Sequence, residues 1–216
     1  MAEPDRHHDD HHAHAEPAPP ARPGYYEVME TAIRELLVER KLIGADEIRR
    51  QIEVLDSRSP ALGAKIVARA WVDPAFRARL LADGRSGCEE LGITFYDDTE
   101  LIVLENTEKV HNLIVCTLCS CYPWAVLGLP PVWYKSAPYR SRTVIDPKGV
   151  LAEFGVTLPA DTQIRVWDST AETRFIVLPM RPAGTEGWSE QRLADLVTRD
   201  SMIGTGLARS PAEIAS

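Results

Sequence analysis

The sequence predicts an α/β (α+β) fold in which an N-terminal helical arm precedes a domain of mixed strands and helices. Between residues 25 and 84 apolar side chains recur at spacings of three and four, the period of an amphipathic helix. After about residue 95 short β-rich runs alternate with helical stretches, a pattern typical of a mixed domain. The strand-like runs are 101–104, 113–115, 164–167 and 175–178, and the helical stretches are 147–154 and 189–197.

These patterns divide the chain into a tail at 1–24, a helical arm at 25–83 and a main domain at 84–216. The tail holds five of the six histidines, five prolines and almost no aliphatic side chains, so we expect it to be disordered. Its histidines suit weak, exchangeable binding of Co, Ni or Zn, but a solvated polar tail is the favoured interpretation. They are His7, His8, His11, His12 and His14.

The arm carries narrow apolar stripes on its first two helices. An amphipathic helix must bury its stripe, either on its own domain or on a second subunit. Further along, Ser59-Pro60 and Asp73-Pro74 each predict the start of another helix, because proline is favoured in the first turn. The stripe residues are Met29, Ile33, Leu36 and Leu37 in the first helix and Ile48, Ile52 and Leu55 in the second.

Composition and charge exclude several classes of protein. A net charge of −8 without a basic stripe argues against a nucleic-acid-binding protein. No apolar run approaches the roughly 20 residues of a membrane span, and no secretory signal begins the chain, so a cytoplasmic protein is expected. In that compartment clustered cysteines indicate metal binding or catalysis in preference to disulfide bonds.

Three of the four cysteines lie within six residues, in the pattern C-x-x-C-x-C. Thiolates prefer transition metals or zinc over Mg²⁺ or Ca²⁺. Only Ser120 separates Cys119 from Cys121, so their sulfurs and the amide nitrogens of Ser120 and Cys121 can occupy a square around one ion. Cys116 then caps the square and leaves a sixth position open, as in a catalytic site. The predicted metal ligands are Cys116, Cys119, Ser120 and Cys121.

This segment resembles the metal-binding motif of nitrile hydratase α subunits, and the resemblance covers roughly residues 25 to 205. It implies a layered α-β-β-α metal-binding catalytic domain at 84–216 and an arm at 25–83 that packs on a second subunit. Matching blocks follow the cysteines in order: 122–124, 127–131, 133–136, 139–142, 146–147, 164–170, 181–188 and 198–204.

The resemblance also implies the cofactor and the partners. The ion would be low-spin Co(III), or less favourably Fe(III), because Thr117 stands where cobalt members carry Thr and iron members Ser. Cys119 would be a sulfinate and Cys121 a sulfenate, while Cys116 stays a thiolate. Arginines of a β subunit would hold the oxidised sulfurs, αβ pairs would form a heterotetramer, and an activator would insert the metal.

The implied reaction is hydration of a small-molecule nitrile to an amide, at a site that is active only with the β subunit. Cys121, Ser120 and Trp124 are the candidate catalytic residues. The nucleophile stays open between metal-activated water and the Cys121 sulfenate oxygen. Ser120 supplies an amide ligand and a hydroxyl that can orient water, and Trp124 is a candidate wall of an apolar pocket. Core packing explains Trp124, Trp133 and Tyr134 at least as well as pocket lining does.

Other interpretations remain open at this point. The cysteines can form a structural zinc site with His111 as the fourth ligand, although zinc ligands usually come as two separated pairs. The γ subunit of thiocyanate hydrolase shares the cysteine segment and is the closest alternative enzyme. A different class is a non-catalytic metal-binding or metal-delivery protein, in which the tail and the cysteines would both bind metal ions. Cys88 is interpreted as a buried thiol, and Asp168 as a turn residue.

Overall fold

The computed structural model describes residues 24–214. The disordered tail predicted at 1–24 therefore lies outside the described residues, apart from Gly24. Within the described range, no helix combines the length and the apolar character needed to cross a membrane.

The chain divides into two compact units, one ending at Arg49 and one beginning at Arg50. The first unit contains helix α1, Tyr25–Glu39, and the start of helix α2, Ala45–Ser57. After α1 the backbone turns through Lys41, which has a positive φ of 57°. No residue of α1 or α2 is buried. Within residues 24–214, the apolar stripes predicted for both helices are therefore at least partly accessible to solvent.

The second unit holds the other helices and all the strands that residues 24–214 contain. Its helices are α3 (Pro60–Val72), α4 (Pro74–Ala82), α5 (Gly84–Glu89), α6 (Trp124–Leu127), α7 (Ala137–Ile145), α8 (Pro147–Glu153), α9 (Glu190–Ala194) and α10 (Arg199–Ile203). Its strands are β1 (Glu100–Glu105), β2 (Val110–Val115), β3 (Gln163–Asp168) and β4 (Thr173–Leu178). Short 3-10 helices span Val132–Lys135 and Pro211–Ile214.

Serine and aspartate residues begin the helices at the predicted positions. Helix α3 follows Ser59 with proline in its first turn. Helix α4 follows Asp73, whose Oδ1 accepts a hydrogen bond from the amide of Phe76 at 2.9 Å. Such a cap satisfies one of the amides that lack a partner in the first turn of a helix, and typically contributes about 1 kcal/mol.

Two small parallel sheets form the centre of the second unit. Strand β1 pairs with β4, and strand β2 pairs with β3. Strands β3 and β4 follow each other in the chain but lie in different sheets. Residues 169–172 connect the two sheets. The register of the second sheet places Val115 opposite Asp168. The carboxyl end of β2, from which the cysteines follow, therefore lies beside the end of β3.

Helices cover both outer faces of the paired sheets. Helices α4 and α5 contact β1, and α10 contacts β4, while β2 lies against β4. On the other side α7 contacts β2 and α8 contacts β3. This arrangement confirms the predicted mixed fold and gives the layer order helix, sheet, sheet, helix.

The hydrophobic core includes residues from helices that the sequence assigned to the arm. Ile66 and Val67 of α3, together with Phe76 and Leu80 of α4, are buried in one cluster with side chains of β1 and β4. Fully burying one such side chain contributes about 1.5–3 kcal/mol. The subunit-packing role assigned to residues 25–83 stays a prediction, and in this structure α3 and α4 also serve the core of their own domain.

A buried polar network connects β2 to the end of α10. His111 Nε2 donates a hydrogen bond to the carbonyl oxygen of Gly204 at 2.7 Å, and Asn106 Nδ2 donates to His111 Nδ1 at 3.3 Å. Burial lowers the pKa of His111, so the ring is neutral. Gly204 ends α10 with a φ of 91°, and a Cβ there would collide with the carbonyl oxygen of Asn112.

We expect Gly204→Ala to destabilise the chain more than the matched variant Gly155→Ala. Both glycines have positive φ, but nothing lies within 4 Å of a Cβ built at Gly155. Gly155→Ala should cost about 1–2 kcal/mol for the left-handed backbone alone. Gly204→Ala should cost about 1–3 kcal/mol more for overpacking. Urea denaturation measures both, and equal losses would contradict the close approach at Gly204.

Candidate metal centre

The cysteine loop, defined as residues 116–121, begins where β2 ends and leads towards α6. Cys116 Sγ lies 3.3 Å from Cys119 Sγ, and Cys119 Sγ lies 3.0 Å from Cys121 Sγ. All three sulfurs fall within 4.8 Å of one another. Strand β2 holds the first cysteine in place, and the loop brings the other two back towards it.

The three thiols differ in their access to solvent. Cys116 is 1% exposed, whereas Cys119 is exposed and Cys121 is half-buried. Cys116 therefore lies beneath the other two, and the Cys119 and Cys121 sulfurs form the outer surface of the cluster.

These outer sulfurs lie at a cavity of about 410 Å³. Ser120 lines this cavity, as does Trp124, which begins α6 and is 40% exposed. Arg58 and Tyr96 contribute a stacked pair to its wall, with the guanidinium carbon 5.2 Å from the ring centroid. The other lining residues are Phe95, Asp97, Thr99, Leu101, Cys119, Cys121, Tyr122, Pro123, Ala125 and Arg174.

Asp168 anchors the start of the cysteine loop. Its Oδ1 accepts a hydrogen bond from the Thr117 amide at 2.9 Å, and its Oδ2 accepts one from the Thr117 hydroxyl at 2.5 Å. The interpretation of Asp168 as a turn residue is incomplete, because the residue ends β3 and its carboxylate holds the loop. Only the pairing of β2 with β3 brings the two residues together, and no sequence pattern predicted it.

Helix α7 and the residues before it hold the loop from the other side. Tyr134 Oη donates to the carbonyl oxygen of Cys121 at 2.9 Å, and Tyr139 Oη donates to that of Ile114 at 2.6 Å. The guanidinium of Arg140 donates to the carbonyl oxygens of Leu118 and Cys119 in the loop. These residues bind backbone oxygens and leave the sulfurs free.

One amide group of the loop points towards a sulfur. The Cys119 amide donates to Cys116 Sγ at 3.3 Å. Hydrogen bonds from Cys121 and then Cys116 lower the pKa of Cys119 to about 7, with smaller contributions from the amides of Cys121 and Ser120. Burial, and then the hydrogen bond to Cys119, raises the pKa of Cys121 to about 12. The thiolate form is therefore favoured at Cys119 over Cys121.

The donor set fits a transition metal ion. Three soft sulfurs lie together, and hard ions such as Mg²⁺ prefer oxygen ligands instead. Among residues 24–214, no His, Asp or Glu joins this group. Both nitrogens of His111 are occupied elsewhere, so the alternative zinc site with His111 is not formed.

A family model described as "Nitrile hydratase, alpha chain" matches residues 24–206. The chain belongs to this family. The match confirms the resemblance that the cysteine motif indicated, over nearly the same range. It also makes the chain a subunit of an enzyme.

Individual relatives agree with the family assignment. The low-molecular weight cobalt-containing nitrile hydratase subunit alpha of Rhodococcus rhodochrous is 57% identical over 183 residues, which cover 84% of this chain and 88% of that subunit. A structure of recombinant thiocyanate hydrolase comprising partially-modified cobalt centers has a TM-score of 0.82 at 39% identity, covering 88% and 93% of the two chains. A double mutant of Fe-type nitrile hydratase from Comamonas testosteroni Ni1 has a TM-score of 0.78 at 43% identity, covering 86% and 91%.

The family assignment agrees with where the structure places the predicted residues. Cys116, Cys119, Ser120 and Cys121 lie together, and Trp124 lies at the same cavity. Other aromatic residues of the nitrile hydratase motif pack in the core: Trp133 lies 4.9 Å from Tyr139 and 4.8 Å from Phe154 between ring centroids, and Tyr134 is fully buried. Cys88 is also fully buried, which raises its pKa to about 12, and it takes no part in the cluster.

We expect Asp168→Ala to loosen the cysteine loop. A hydrogen bond to a carboxylate contributes about 1.5–3 kcal/mol, so its loss should speed hydrogen exchange of the Thr117 amide about 10- to 100-fold. Asp161→Ala is the matched control, because Asp161 is exposed and pairs with Lys109 outside the loop. Exchange measured by NMR should change in the first variant only. An unchanged Thr117 amide in Asp168→Ala would contradict the anchoring role.

Proposed function

We propose that this chain is the metal-carrying α subunit of a cobalt nitrile hydratase that converts nitriles to amides. The observation that supports this most directly is the cluster of three sulfurs, in which Cys119 and Cys121 line a cavity together with the exposed Trp124. A structural zinc site would be closed to substrate, whereas a catalytic site keeps an accessible side.

Cobalt is the proposed metal, with Fe(III) as the less favoured choice. The relative with 57% identity is named as cobalt-containing, and the similar Fe-type structure has 43% identity. The ligands proposed are the sulfurs of Cys116, Cys119 and Cys121 and the amide nitrogens of Ser120 and Cys121. Thr117 supports cobalt through the family pattern only, since its hydroxyl binds Asp168.

The exposure of the thiols supports the proposed oxidation states. Oxidation of cysteine follows thiolate character and access to solvent. Cys119 is exposed with a lowered pKa, and Cys121 is half-buried, whereas Cys116 is almost fully buried. We therefore propose a sulfinate at Cys119, a sulfenate at Cys121 and an unmodified thiolate at Cys116.

The reaction adds one water to a nitrile: the water oxygen bonds to the nitrile carbon, and both hydrogens end on nitrogen to give the amide. When bound, Co(III) would supply Lewis acidity towards the nitrile or the water. The chain itself provides a cavity of about 410 Å³ with Trp124 as an apolar wall for the substrate body. Ser120 lines the same cavity, and its hydroxyl would orient a water molecule there.

A β subunit is the proposed partner, because the family is named for an alpha chain and the cavity is lined by the exposed residues Cys119 and Trp124. Its arginines would hold the oxidised sulfurs, two αβ pairs would form a heterotetramer, and an activator would insert the metal. The arm predicted at 25–83 would contact β through α1 and α2, in which no residue is buried. An accessible apolar stripe of this kind favours a partner surface.

The main alternative is a thiocyanate hydrolase γ-type subunit, which also adds water to a C≡N bond. The TM-score of 0.82 favours this alternative as a fold, but the sequence identity is 39% against 57% for the cobalt nitrile hydratase relative. The family assignment favours an enzyme over a metal-delivery protein.

We expect Cys116→Ala, Cys119→Ala and Cys121→Ala each to abolish amide formation from acrylonitrile in the complex with the cognate β subunit. Changes beyond the ligands already cost about 10–100-fold in metal affinity or activity, so losing a ligand should cost more. Cys88→Ala is the matched control and should keep both cobalt and activity, because Cys88 lies outside the cluster.

Acrylamide release and cobalt content per chain measure this prediction. If a cluster variant keeps its activity, the cluster is not the catalytic site. If the wild-type complex hydrolyses thiocyanate and leaves acrylonitrile unchanged, the alternative substrate is correct.

We expect Trp124→Ala to raise KM for benzonitrile about tenfold and to change KM for acrylonitrile less. The larger substrate would lose an aromatic contact worth about 0.5–1.5 kcal/mol in addition to buried area. Trp124→Phe should lie between the wild type and Trp124→Ala. Steady-state kinetics on both nitriles test this, and equal changes in KM would contradict the role of Trp124 as the substrate wall.

A further inference from the structure

Arg140 of α7 contacts the backbone of the cysteine loop at two consecutive peptide groups. Its Nη1 donates to the carbonyl oxygen of Leu118 at 3.3 Å and to that of Cys119 at 3.2 Å. Arg140 is not among the residues that line the cavity described above, and it contacts the loop through these backbone oxygens.

These two bonds determine which way the neighbouring amides point. The described chain contains no cis peptide bond. In a trans peptide the carbonyl and the N–H of one group point in opposite directions. A carbonyl held by Arg140 therefore directs the following amide into the loop. The Cys119 amide accordingly donates to Cys116 Sγ at 3.3 Å. The Ser120 amide shares a trans peptide with the Cys119 carbonyl and therefore points away from Arg140.

The rest of α7 keeps Arg140 in position. Ser136 Oγ accepts the hydrogen bond of the Tyr139 amide at 3.3 Å and so begins the helix. Tyr139 Oη, one residue before Arg140, is bound to Ile114 of β2. The guanidinium is thus carried by a helix that is fixed to the same strand that leads into the cysteine loop. Arg142, on the same helix, instead pairs with Glu153.

We propose that Arg140 is a positioning residue for the metal centre: by holding the Leu118 and Cys119 carbonyls outward, it directs the Ser120 amide nitrogen towards the three sulfurs. This rests on the proposed function, in which that nitrogen is a ligand. Without Arg140 the 119–120 peptide is free to rotate, and the loop then offers three sulfurs without the nitrogen between them. Groups that orient metal ligands commonly change metal affinity about 10–100-fold when removed.

The test compares Arg140→Gln, Arg140→Lys and the matched control Arg142→Gln, each co-expressed with the cognate β subunit. After dialysis against a chelator, Arg140→Gln should retain about tenfold less cobalt per chain than the wild type. Arg140→Lys should retain an intermediate amount, since an ammonium donates to carbonyls but lacks the fixed planar fork. Arg142→Gln should match the wild type.

The visible charge-transfer spectrum of the retained cobalt distinguishes positioning from general stability. A shifted spectrum in Arg140→Gln, or in Arg140→Lys if the first variant does not assemble, supports a changed ligand set. Wild-type cobalt content and spectrum in the Arg140 variants, or an equal loss in Arg142→Gln, would overturn the proposal. Failure of the wild-type complex itself to retain cobalt would instead overturn the proposed function.

Discussion

The proposed metal centre depends on the hydrogen bonds that fix the backbone carbonyls of the cysteine loop. Arg140 binds the carbonyls of Leu118 and Cys119, which orients the amides of Cys119 and Ser120, and Tyr134 binds the carbonyl of Cys121, where the loop ends. Since each loop peptide is trans, the orientation of an oxygen decides the orientation of the next nitrogen. A flexible loop would have to be ordered by the metal itself, at about 1–2 kcal/mol per residue.

The fold supplies these contacts through elements that are distant in the chain. The parallel pairing of β2 with β3 places Asp168 beside Thr117, and the packing of α7 on β2 places Tyr139 and Arg140 behind the loop. Two small sheets between helical layers thus present one loop at a cavity. Helices α1 and α2 have no buried residue, and they are the surface proposed for a second subunit.

The sequence allowed the metal cluster to be predicted because its determinants are local. Cys116, Cys119 and Cys121 lie within six residues, so their proximity follows from the loop itself. Asp168 was missed because it lies 51 residues from Thr117 and meets it only through strand pairing. Arg140 was missed for a similar reason, since a helix position alone does not indicate which carbonyl a guanidinium reaches. The apolar pattern of α3 and α4 likewise could not distinguish a stripe that packs on its own sheets from one that packs on a partner.

X-ray absorption at the cobalt K edge of the complex with the β subunit tests the account most directly, because it counts the atoms bound to the metal. We predict one cobalt per chain, bound by three sulfur atoms and by at least two nitrogen or oxygen atoms, among them the amide nitrogens of Ser120 and Cys121. A zinc ion, or cobalt bound by sulfur and histidine without amide nitrogens, would contradict it.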